Sequence, residues 1–593
     1  MTKKGEKSKT VKAPKGTWGK ILKTVFSCCP VSAPFYVLWT LSAVAASFVM
    51  LYALENLVEE VSAAAAGTGS TQIMVRLIAI LAVCVALKSD WAVNRLFRNR
   101  MCYMLNKKFA PRIMEKYSRL DFYCYEDEEM RNVMHLATDN PIILPVDAFF
   151  SAVNGMGAVL SNISVIAYFL TVSVWMALIF GVLVCAVTVF DVLGNREVIK
   201  AQWERTPDSR RKTDIFNLFC DKNSVFELKA GGADYLEEKY KTLSEKESRR
   251  ILAGSLRGMR YNAVSLVLLA LWVAGMTLLF VSMMSKGEMT AGVAVTVVMS
   301  FPVTLNTAWA IASRFKKSYQ SYVSAGYVYR LMNFPERKGN GLSLISSVPE
   351  VEFDNVWFRY PGTDKFILKG LSFRLSAGTS TSLVGENGSG KSTSVKLLLR
   401  LYRPTSGRIL LNGKDIWEYR EEDYYKTVGA VFQDFARYEL PFDENIALCL
   451  NPDLTSVKET SFYKSTVAAA GSEKAFIGKR LQGGKDLSGG EWQKLAILRL
   501  LYRSPSMMIL DEPTASLDAR AENEIYSAFE RLVQKKTALF ISHRMALSRI
   551  ADNVLVLVDG KVAESGKHDL LIKKEGYYAR LFEKQAEWYR DNL

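Results

Sequence analysis

The sequence predicts a multi-domain protein in which an all-α transmembrane domain of six helices precedes an α/β domain. Long apolar stretches are confined to the chain before about residue 315, and short strand-like runs alternating with helical runs begin near residue 349. At 593 residues the chain is also too long for one hydrophobic core. We therefore expect a basic cytoplasmic tail with an interfacial helix (1–30), the transmembrane domain (31–320), a linker (321–348) and the α/β domain (349–593).

Composition excludes several classes of protein. The net charge of +16 could indicate nucleic-acid binding, but the excess of Lys and Arg lies at the N-terminus and beside apolar segments, where it indicates a membrane surface. The eight cysteines form no CxxC pair and no disulfide framework, and three histidines are too few for a His-rich metal site. The basic N-terminus lacks the short apolar core and cleavage site of a signal peptide.

The N-terminal tail leads into a helix that we expect at the inner membrane interface. Residues 1–23 contain eight lysines and one glutamate. An apolar set then recurs at helical spacing, which predicts an amphipathic helix; its members are Trp18, Ile21, Leu22, Val25 and Phe26. The alternative is that these residues are the frayed start of the first spanning helix.

Six stretches are apolar and long enough to cross a bilayer. They are 33–55, 72–92, 146–170, 172–194, 262–284 and 289–313. The run from Phe149 to Leu183 is too long for one crossing, so we expect two helices with a short turn near residues 171–174.

The distribution of charge predicts the orientation of these spans. The first loop (56–71) contains Glu59 and Glu60 and no Lys or Arg, whereas 93–145 is basic and 195–258 is dense with charge. The positive-inside rule then puts both termini in the cytoplasm of a multi-pass protein in the cytoplasmic membrane. Breaks at 121–127 and 223–232 predict that the two inner segments end in short cross-helices that dock a partner; the alternative is a solvated loop.

Polar residues within the spans are candidates for a transport cavity, because unpaired polar groups are costly in lipid. Interhelical hydrogen bonding explains them equally well. They are Asn154, Asn162, Asn306 and Trp309, and Pro302 in the last span predicts a kink.

A glycine-rich stretch organises the second half. It follows an apolar strand-like run (381–384) and precedes a helical run (395–401), which is the strand–GxxxxGK[ST]–helix pattern of a P-loop. Backbone N–H groups of such a loop bind phosphate, Lys391 would reach the β- and γ-phosphates, and Ser392 would ligate Mg²⁺. The stretch comprises Gly385, Glu386, Asn387, Gly388, Ser389, Gly390, Lys391, Ser392 and Thr393.

Three further patterns complete a nucleotide site. An apolar strand at 507–510 ends in Asp511 and Glu512; if this strand lies next to the P-loop strand, Asp511 reaches Mg²⁺ and Glu512 faces the terminal phosphate. Tyr360 stands at a strand end, where an aromatic ring could stack on a purine. A second anion-binding helix start follows in Leu487, Ser488, Gly489, Gly490 and Glu491. Two phosphate-binding elements in one chain suggest that two copies face each other head to tail.

With these motifs, nearly the whole chain resembles an ATP-binding cassette (ABC) transporter of the exporter type, in the half-transporter arrangement. The resemblance implies a P-loop ATPase domain with a helical subdomain, ATP and Mg²⁺ as cofactors, and hydrolysis coupled to export. It implies that Glu512 is the general base, that His543 holds the γ-phosphate, and that Gln433 senses Mg²⁺ and the membrane domain. Leu487–Glu491 is then the signature motif, Ser516–Asp518 the D-loop, and the two breaks are coupling helices.

The sequence departs from the family pattern in two places. The signature ends in Glu491 rather than the commoner Gln, as in a bacterial subgroup, and 480–486 matches the usual loop before the signature only loosely. We expect no cysteine-protease domain before the spans. A soluble ABC ATPase and an importer are alternatives that the six fused spans disfavour. A channel that uses the cassettes as gates is a further alternative, which substrate-stimulated ATPase activity would distinguish from an exporter. The sequence leaves open a homodimer or a heterodimer, and a peptide, lipid or hydrophobic small molecule as substrate.

Overall fold

The computed structural model describes residues 16–66, 73–138, 140–204, 206–286, 290–337, 341–343, 348–479, 483–512, 533–541 and 546–591. The chain divides into two compact units. A helical unit comprises Met1–Arg119 and Glu126–Phe334, and a sheet unit comprises Leu120–Tyr125 and Pro335–Leu593. The predicted linker at 321–348 therefore overlaps the division, but the last helix of the helical unit continues to Leu331.

The helical unit contains long helices at all six of the predicted spans. Four of them are long and apolar enough to cross a membrane within the described residues: Ser32–Ala65, Ile143–Val172, Val174–Ala201 and Ala233–Met283. The spans predicted at 72–92 and 289–313 coincide with helices α3 and α12 and stay predictions. The helices are α1 (Thr17–Cys28), α2 (Ser32–Ala65), α3 (Ile73–Lys108), α4 (Ala110–Arg119), α5 (Tyr123–Glu126), α6 (Glu128–Thr138), α7 (Ile143–Val172), α8 (Val174–Glu204), α9 (Thr206–Cys220), α10 (Lys222–Ala230), α11 (Ala233–Ser285) and α12 (Ala291–Leu331).

The tight turn predicted near residues 171–174 is confirmed. Helix α7 ends at Val172, Ser173 adopts an extended conformation, and α8 begins at Val174. Short helices α5 and α10 also lie at the two predicted breaks of the inner segments. A single extended residue is thus enough to end one long apolar helix and begin the next.

Helices α8 and α11 approach each other closely through glycines. A Cβ added at Gly194 would lie 2.9 Å from the carbonyl oxygen of Gly258, and one added at Gly258 would lie 2.8 Å from that of Gly194. In a membrane, burying apolar side chains between two helices gains no hydrophobic free energy, because lipid is equally apolar. Helices instead associate through close packing, which small residues allow. The two long helices are therefore in close contact at Gly194 and Gly258.

Helix α1 is amphipathic, as its spacing predicts. Ile21 and Val25 are fully buried, whereas Leu22 and Phe26 are exposed on the other side of the helix. Trp18 stacks on Tyr322 of α12 with ring centroids 5.2 Å apart. The helix packs on α7, α12 and α3. Its position at the membrane interface stays a prediction.

The sheet unit is built from two β-sheets. A four-stranded antiparallel sheet has the order β2-β1-β4-β5, and a six-stranded sheet has the order β10-β9-β3-β8-β7-β6, parallel except at β10. The strands are β1 (Val351–Phe358), β2 (Leu368–Leu375), β3 (Ser380–Gly385), β4 (Ser406–Leu411), β5 (Lys414–Asp415), β6 (Val428–Val431), β7 (Met507–Asp511), β8 (Thr537–Ile541), β9 (Asn553–Val558) and β10 (Lys561–Gly566).

The described helices of the sheet unit fall into two groups. One group is inserted between β6 and β7 and forms a helical subdomain; its core around Phe442 and Trp492 also includes residues of β7 and β8. The others pack on the sheets, whose main core includes Phe353 and Leu397. The helices are α13 (Lys391–Leu398), α14 (Glu421–Thr427), α15 (Phe442–Ala447), α16 (Thr455–Lys458), α17 (Ser461–Ala470), α18 (Gly489–Arg503), α19 (Ala546–Ile550), α20 (His568–Lys573) and α21 (Tyr577–Asp591).

Candidate nucleotide site

The glycine-rich loop connects β3 to α13, as the sequence predicts. Gly388 and Gly390 have φ values of 81° and 107°, which side chains rarely adopt. A Cβ at Gly385 would lie 2.4 Å from the carbonyl oxygen of Leu557, so the loop backbone also passes too close to β9 for a larger residue. These glycines let the chain turn sharply from a buried strand into the first turn of a helix.

The concave side of this loop fits an anion. The N-terminus of α13 has no side-chain cap and no acidic residue in its first turn, so its N–H groups remain available to phosphate oxygens. The buried Oγ of Ser389 has no hydrogen-bond partner among the described residues. Lys391 Nζ donates to the carbonyl oxygens of Gly385 and Glu386 at 2.7 and 3.0 Å, which holds its ammonium group over the loop.

Tyr360 lies beside the same helix. Its hydroxyl is 3.2 Å from Thr393 Oγ1, and the ammonium group of Lys396 lies 5.4 Å from the centre of its ring. Phe358 and Tyr402 pack edge-on against the ring at 5.1 and 5.4 Å. A cavity of about 620 Å³ opens next to these aromatic residues. The sequence did not single out Tyr402, because only the fold brings it to the ring of Tyr360.

We expect Tyr360→Ala to weaken ATP binding roughly 5- to 150-fold, because stacking of a base on an aromatic ring contributes about 1–3 kcal/mol. Tyr360→Trp should retain the affinity of the wild-type protein. The measurement is calorimetric titration of the purified protein with ATP and with tripolyphosphate, which has no base. Equal loss of affinity for both ligands would contradict a stacking role.

The strand that ends in Asp511 does not neighbour the P-loop strand. The prediction that the two are adjacent is wrong, because β8 lies between β3 and β7. Parallel strands end at one edge of a sheet, so Asp511 and Glu512 still reach the loop. Both carboxylates interact electrostatically with Lys391. Glu512 adopts a φ of 47°, and its N–H donates to Ile541 O at the end of β8 at 2.8 Å.

Burial changes the ionisation of this group of residues. It raises the pKa of Asp511 to about 6, with a further increase from the neighbouring charge of Glu512 and an opposing effect of Lys391. Burial also lowers the pKa of Lys391, although both carboxylates counteract this shift. A buried carboxylate that depends on nearby cations for its charge is suited to accept a metal ion.

The second predicted anion site is the N-terminus of α18, a helix of 15 residues. Ser488 caps it: Ser488 Oγ accepts from Glu491 N at 3.3 Å, and a carboxylate oxygen of Glu491 accepts from Ser488 N at 2.7 Å. This reciprocal capping box gives a structural reason for a glutamate at position 491. From the same helix, Gln493 Nε2 donates to the backbone carbonyl oxygen of Glu512 at 3.4 Å, so α18 also contacts the backbone at the end of β7.

The structure describes less of the other residues that the sequence predicts for this site. Gln433 lies in the exposed segment that follows β6. His543 and the segment Ser516–Asp518 lie outside the described residues, and so does part of the loop at 480–486. Their roles stay predictions.

In the helical unit, the candidate cavity residues are only partly described. Asn162 is 2% exposed; its Nδ2 donates to Ala158 O of the same helix, and its Oδ1 has no partner among the described residues. Asn154 O accepts from Arg314 of α12 at 2.8 Å. The side chains of Asn306, Trp309 and Pro302 lie outside the described residues, although the α12 backbone is helical there.

In comparisons with known proteins, this chain is similar to ABC transporters. The ABC transporter family matches residues 368–515, which run from β2 past the carboxylate pair. The subtilin transport ATP-binding protein SpaT of Bacillus subtilis is 28% identical over 509 residues, covering 83% of this chain and 81% of that protein. The nisin transport ATP-binding protein NisT of Lactococcus lactis subsp. lactis is 28% identical over 521 residues, covering 84% of each.

A solved structure shares the whole fold. The structure of a bacterial Atm1-family ABC exporter with ATP bound superposes with a TM-score of 0.74 at 22% identity, covering 94% of this chain and 99% of that chain. The predicted fold class, a helical membrane domain followed by a sheet-containing ATPase domain, is thereby confirmed.

Proposed function

Because this chain is an ABC exporter with its membrane and ATPase domains fused, we propose that two copies of it form the working transporter, with each ATP held between the P-loop of one copy and the signature motif of the other. The chain couples ATP hydrolysis to export. What supports the dimer is that the P-loop and the signature motif begin two separate helices of the sheet unit, α13 at Lys391 and α18 at Gly489.

In the proposed site, the chain binds the phosphates and positions the attacking water. Lys391 and the N–H groups of α13 bind the β- and γ-phosphates, and Ser488 of the second copy contacts the γ-phosphate from the opposite side. Glu512 accepts the proton of the water, and His543 stabilises the charge on the γ-phosphate. The support for Glu512 is its place at the edge of the sheet, fixed by hydrogen bonds from its N–H to β8 and from Gln493 to its carbonyl oxygen.

Magnesium is the metal that we propose for this site. Ser392, Gln433 and Asp511 would hold it together with the phosphate oxygens, because Mg²⁺ binds proteins through one or two carboxylates, phosphates and water. The described residues contain no group of three His, Cys, Asp or Glu side chains that could hold a metal ion. Bound there, Mg²⁺ would neutralise charge on the β- and γ-phosphates.

We propose a peptide as the exported substrate and the cytoplasmic membrane as the location, with both termini in the cytoplasm. Two relatives that align with more than four fifths of the chain are named for transport of subtilin and of nisin. A buried amide such as Asn162, with one polar atom lacking a partner among the described residues, suits a cavity that binds amide groups. The charge asymmetry of the loops supports the orientation.

The experiment is reconstitution of this chain alone into lipid vesicles. A homodimer of two complete sites should hydrolyse ATP without another subunit, and candidate peptides should stimulate hydrolysis and accumulate inside inverted vesicles. Hydrolysis that requires co-expression of a second, different chain would contradict the homodimer. ATP hydrolysis that no transported molecule stimulates, together with passive flux of that molecule across the vesicle membrane, would favour a channel.

A further inference from the structure

The segment that follows helix α12 is anchored on helix α14 by an ion pair. Residues 332–334 continue α12 with backbone hydrogen bonds to its last turn, and two residues then lead to Arg337. Arg337 Nη1 donates to Glu421 Oε1, at the start of α14, at 2.9 Å. The two side chains are 14% and 27% exposed. Because removing one partner would leave the other charge poorly solvated, the chain is fixed at this point.

The same guanidinium group is also connected to the P-loop helix. Arg337 Nη1 donates to the hydroxyl of Tyr425 at 2.9 Å, and that hydroxyl donates to Leu399 O, at the C-terminal end of α13, at 2.8 Å. The neighbouring Tyr424 donates to Leu398 O. The last carbonyl groups of a helix have no partner within it, so these two tyrosines of α14 supply the missing donors. Of the two, both within the described residues, Tyr425 alone bonds to Arg337.

Helix α13 joins this contact to the phosphate-binding loop. It has eight residues, Lys391–Leu398, which at 1.5 Å per residue give a length of about 12 Å. Its N-terminus is the proposed site of the ATP phosphates, and Leu399 caps its other end. A short helix is a rigid element, so a displacement at the phosphates also moves the carbonyl oxygen that Tyr425 contacts.

We infer that Arg337 and Tyr425 are positioning residues that transmit the binding of ATP at the P-loop to α12. The path runs along α13 to Leu399 O, through the two side chains, and back along the chain to the end of α12. It is separate from the predicted coupling helices. A mere anchor would need only the ion pair with Glu421, whereas transmission also needs the hydroxyl of Tyr425. The inference rests on the proposed binding of phosphate by α13.

The test measures hydrogen exchange of the full-length protein in lipid vesicles, with and without a non-hydrolysable ATP analogue. In the wild-type protein, the analogue should slow exchange at 385–399 and change exchange at 314–331, the last part of α12. Tyr425→Phe removes one hydroxyl and keeps the ion pair of Arg337. We expect it to reduce the change at 314–331 at least about fivefold, the lower end of common coupling strengths. Protection at 385–399 should stay as in the wild type.

Tyr424→Phe is the matched control, because it removes the same kind of bond to the end of α13 without touching Arg337. It should lower the melting temperature and keep the full response at 314–331. Arg337→Gln should lose the response as Tyr425→Phe does. Arg408→Gln removes the same charge from an exposed pair with Asp354 and should keep the response.

The possible results separate this inference from the proposed function. A full response in Tyr425→Phe would overturn the inference, because the chain would then be anchored without being connected to α13. Loss of the response in Tyr424→Phe as well would also overturn it, since a general loosening of α13 would explain both. Protection at 385–399 in the wild-type protein without a change at 314–331 would overturn the inference and leave the proposed nucleotide site intact. Absence of that protection would overturn both.

Discussion

Replacing Glu512 by Gln will reduce kcat for ATP hydrolysis about 10²- to 10⁴-fold while leaving ATP binding intact. General-base catalysis has an effect of that order, and an amide cannot accept the proton of the attacking water. The substitution preserves the size of the side chain and the backbone hydrogen bonds of Glu512 to β8 and from Gln493. The measurements are steady-state hydrolysis and equilibrium binding of ATP by the same preparation.

Glu491→Gln is the matched control for this variant. The amide oxygen of the introduced glutamine can accept from Ser488 N and close the same capping box, so the signature helix should start as before and hydrolysis should continue.

The Glu512→Gln protein should also retain bound ATP after removal of free nucleotide, because the two copies stay closed around it. Steady-state hydrolysis at the wild-type rate would refute the assignment of Glu512 as the base.

Replacing Lys391 by Ala will instead weaken the binding of ATP. The ammonium group is held over the loop by two carbonyl oxygens, and ATP phosphates would replace them as partners. Hydrogen bonds that involve a charged group contribute about 1.5–3 kcal/mol each, so loss of two of them predicts a Kd at least about 100-fold higher. Fluorescence or calorimetric titration with ATP measures this change.

Lys414→Ala is a suitable control, because Lys414 is an exposed lysine of β5 outside the P-loop. Its removal changes the net charge of the protein by the same amount. An unchanged Kd in Lys391→Ala would contradict the phosphate role. An equal loss of affinity in both variants would indicate a general effect of charge rather than a specific contact.

Much of this architecture could be predicted from local patterns. The P-loop needs glycines at fixed positions whatever surrounds it, so Gly385–Thr393 predicts the β3–α13 connection directly. The extended residue Ser173 was predictable because an apolar run of that length exceeds the thickness of a bilayer. Both features depend only on residues that are close together in the sequence.

Other features depend on strand order and tertiary packing, which no short pattern encodes. The adjacency of β3 and β7 was predicted wrongly because β8, which separates them, comes later in the sequence. Tyr402 looks like an ordinary core residue until the fold brings it to Tyr360. The glutamate at position 491 became interpretable only when its capping box was seen.

The central claim is that each nucleotide is bound between two copies, and a mixed dimer tests it most directly. In a Glu512→Gln background, one tagged copy would carry Lys391→Ala and a differently tagged copy Ser488→Arg, and ATP retained per purified mixed dimer would be counted. Head-to-tail sharing puts both defects in one site and leaves the other intact, so the account predicts one retained ATP per mixed dimer and none in either homodimer. No retained ATP in correctly folded mixed dimers would contradict it.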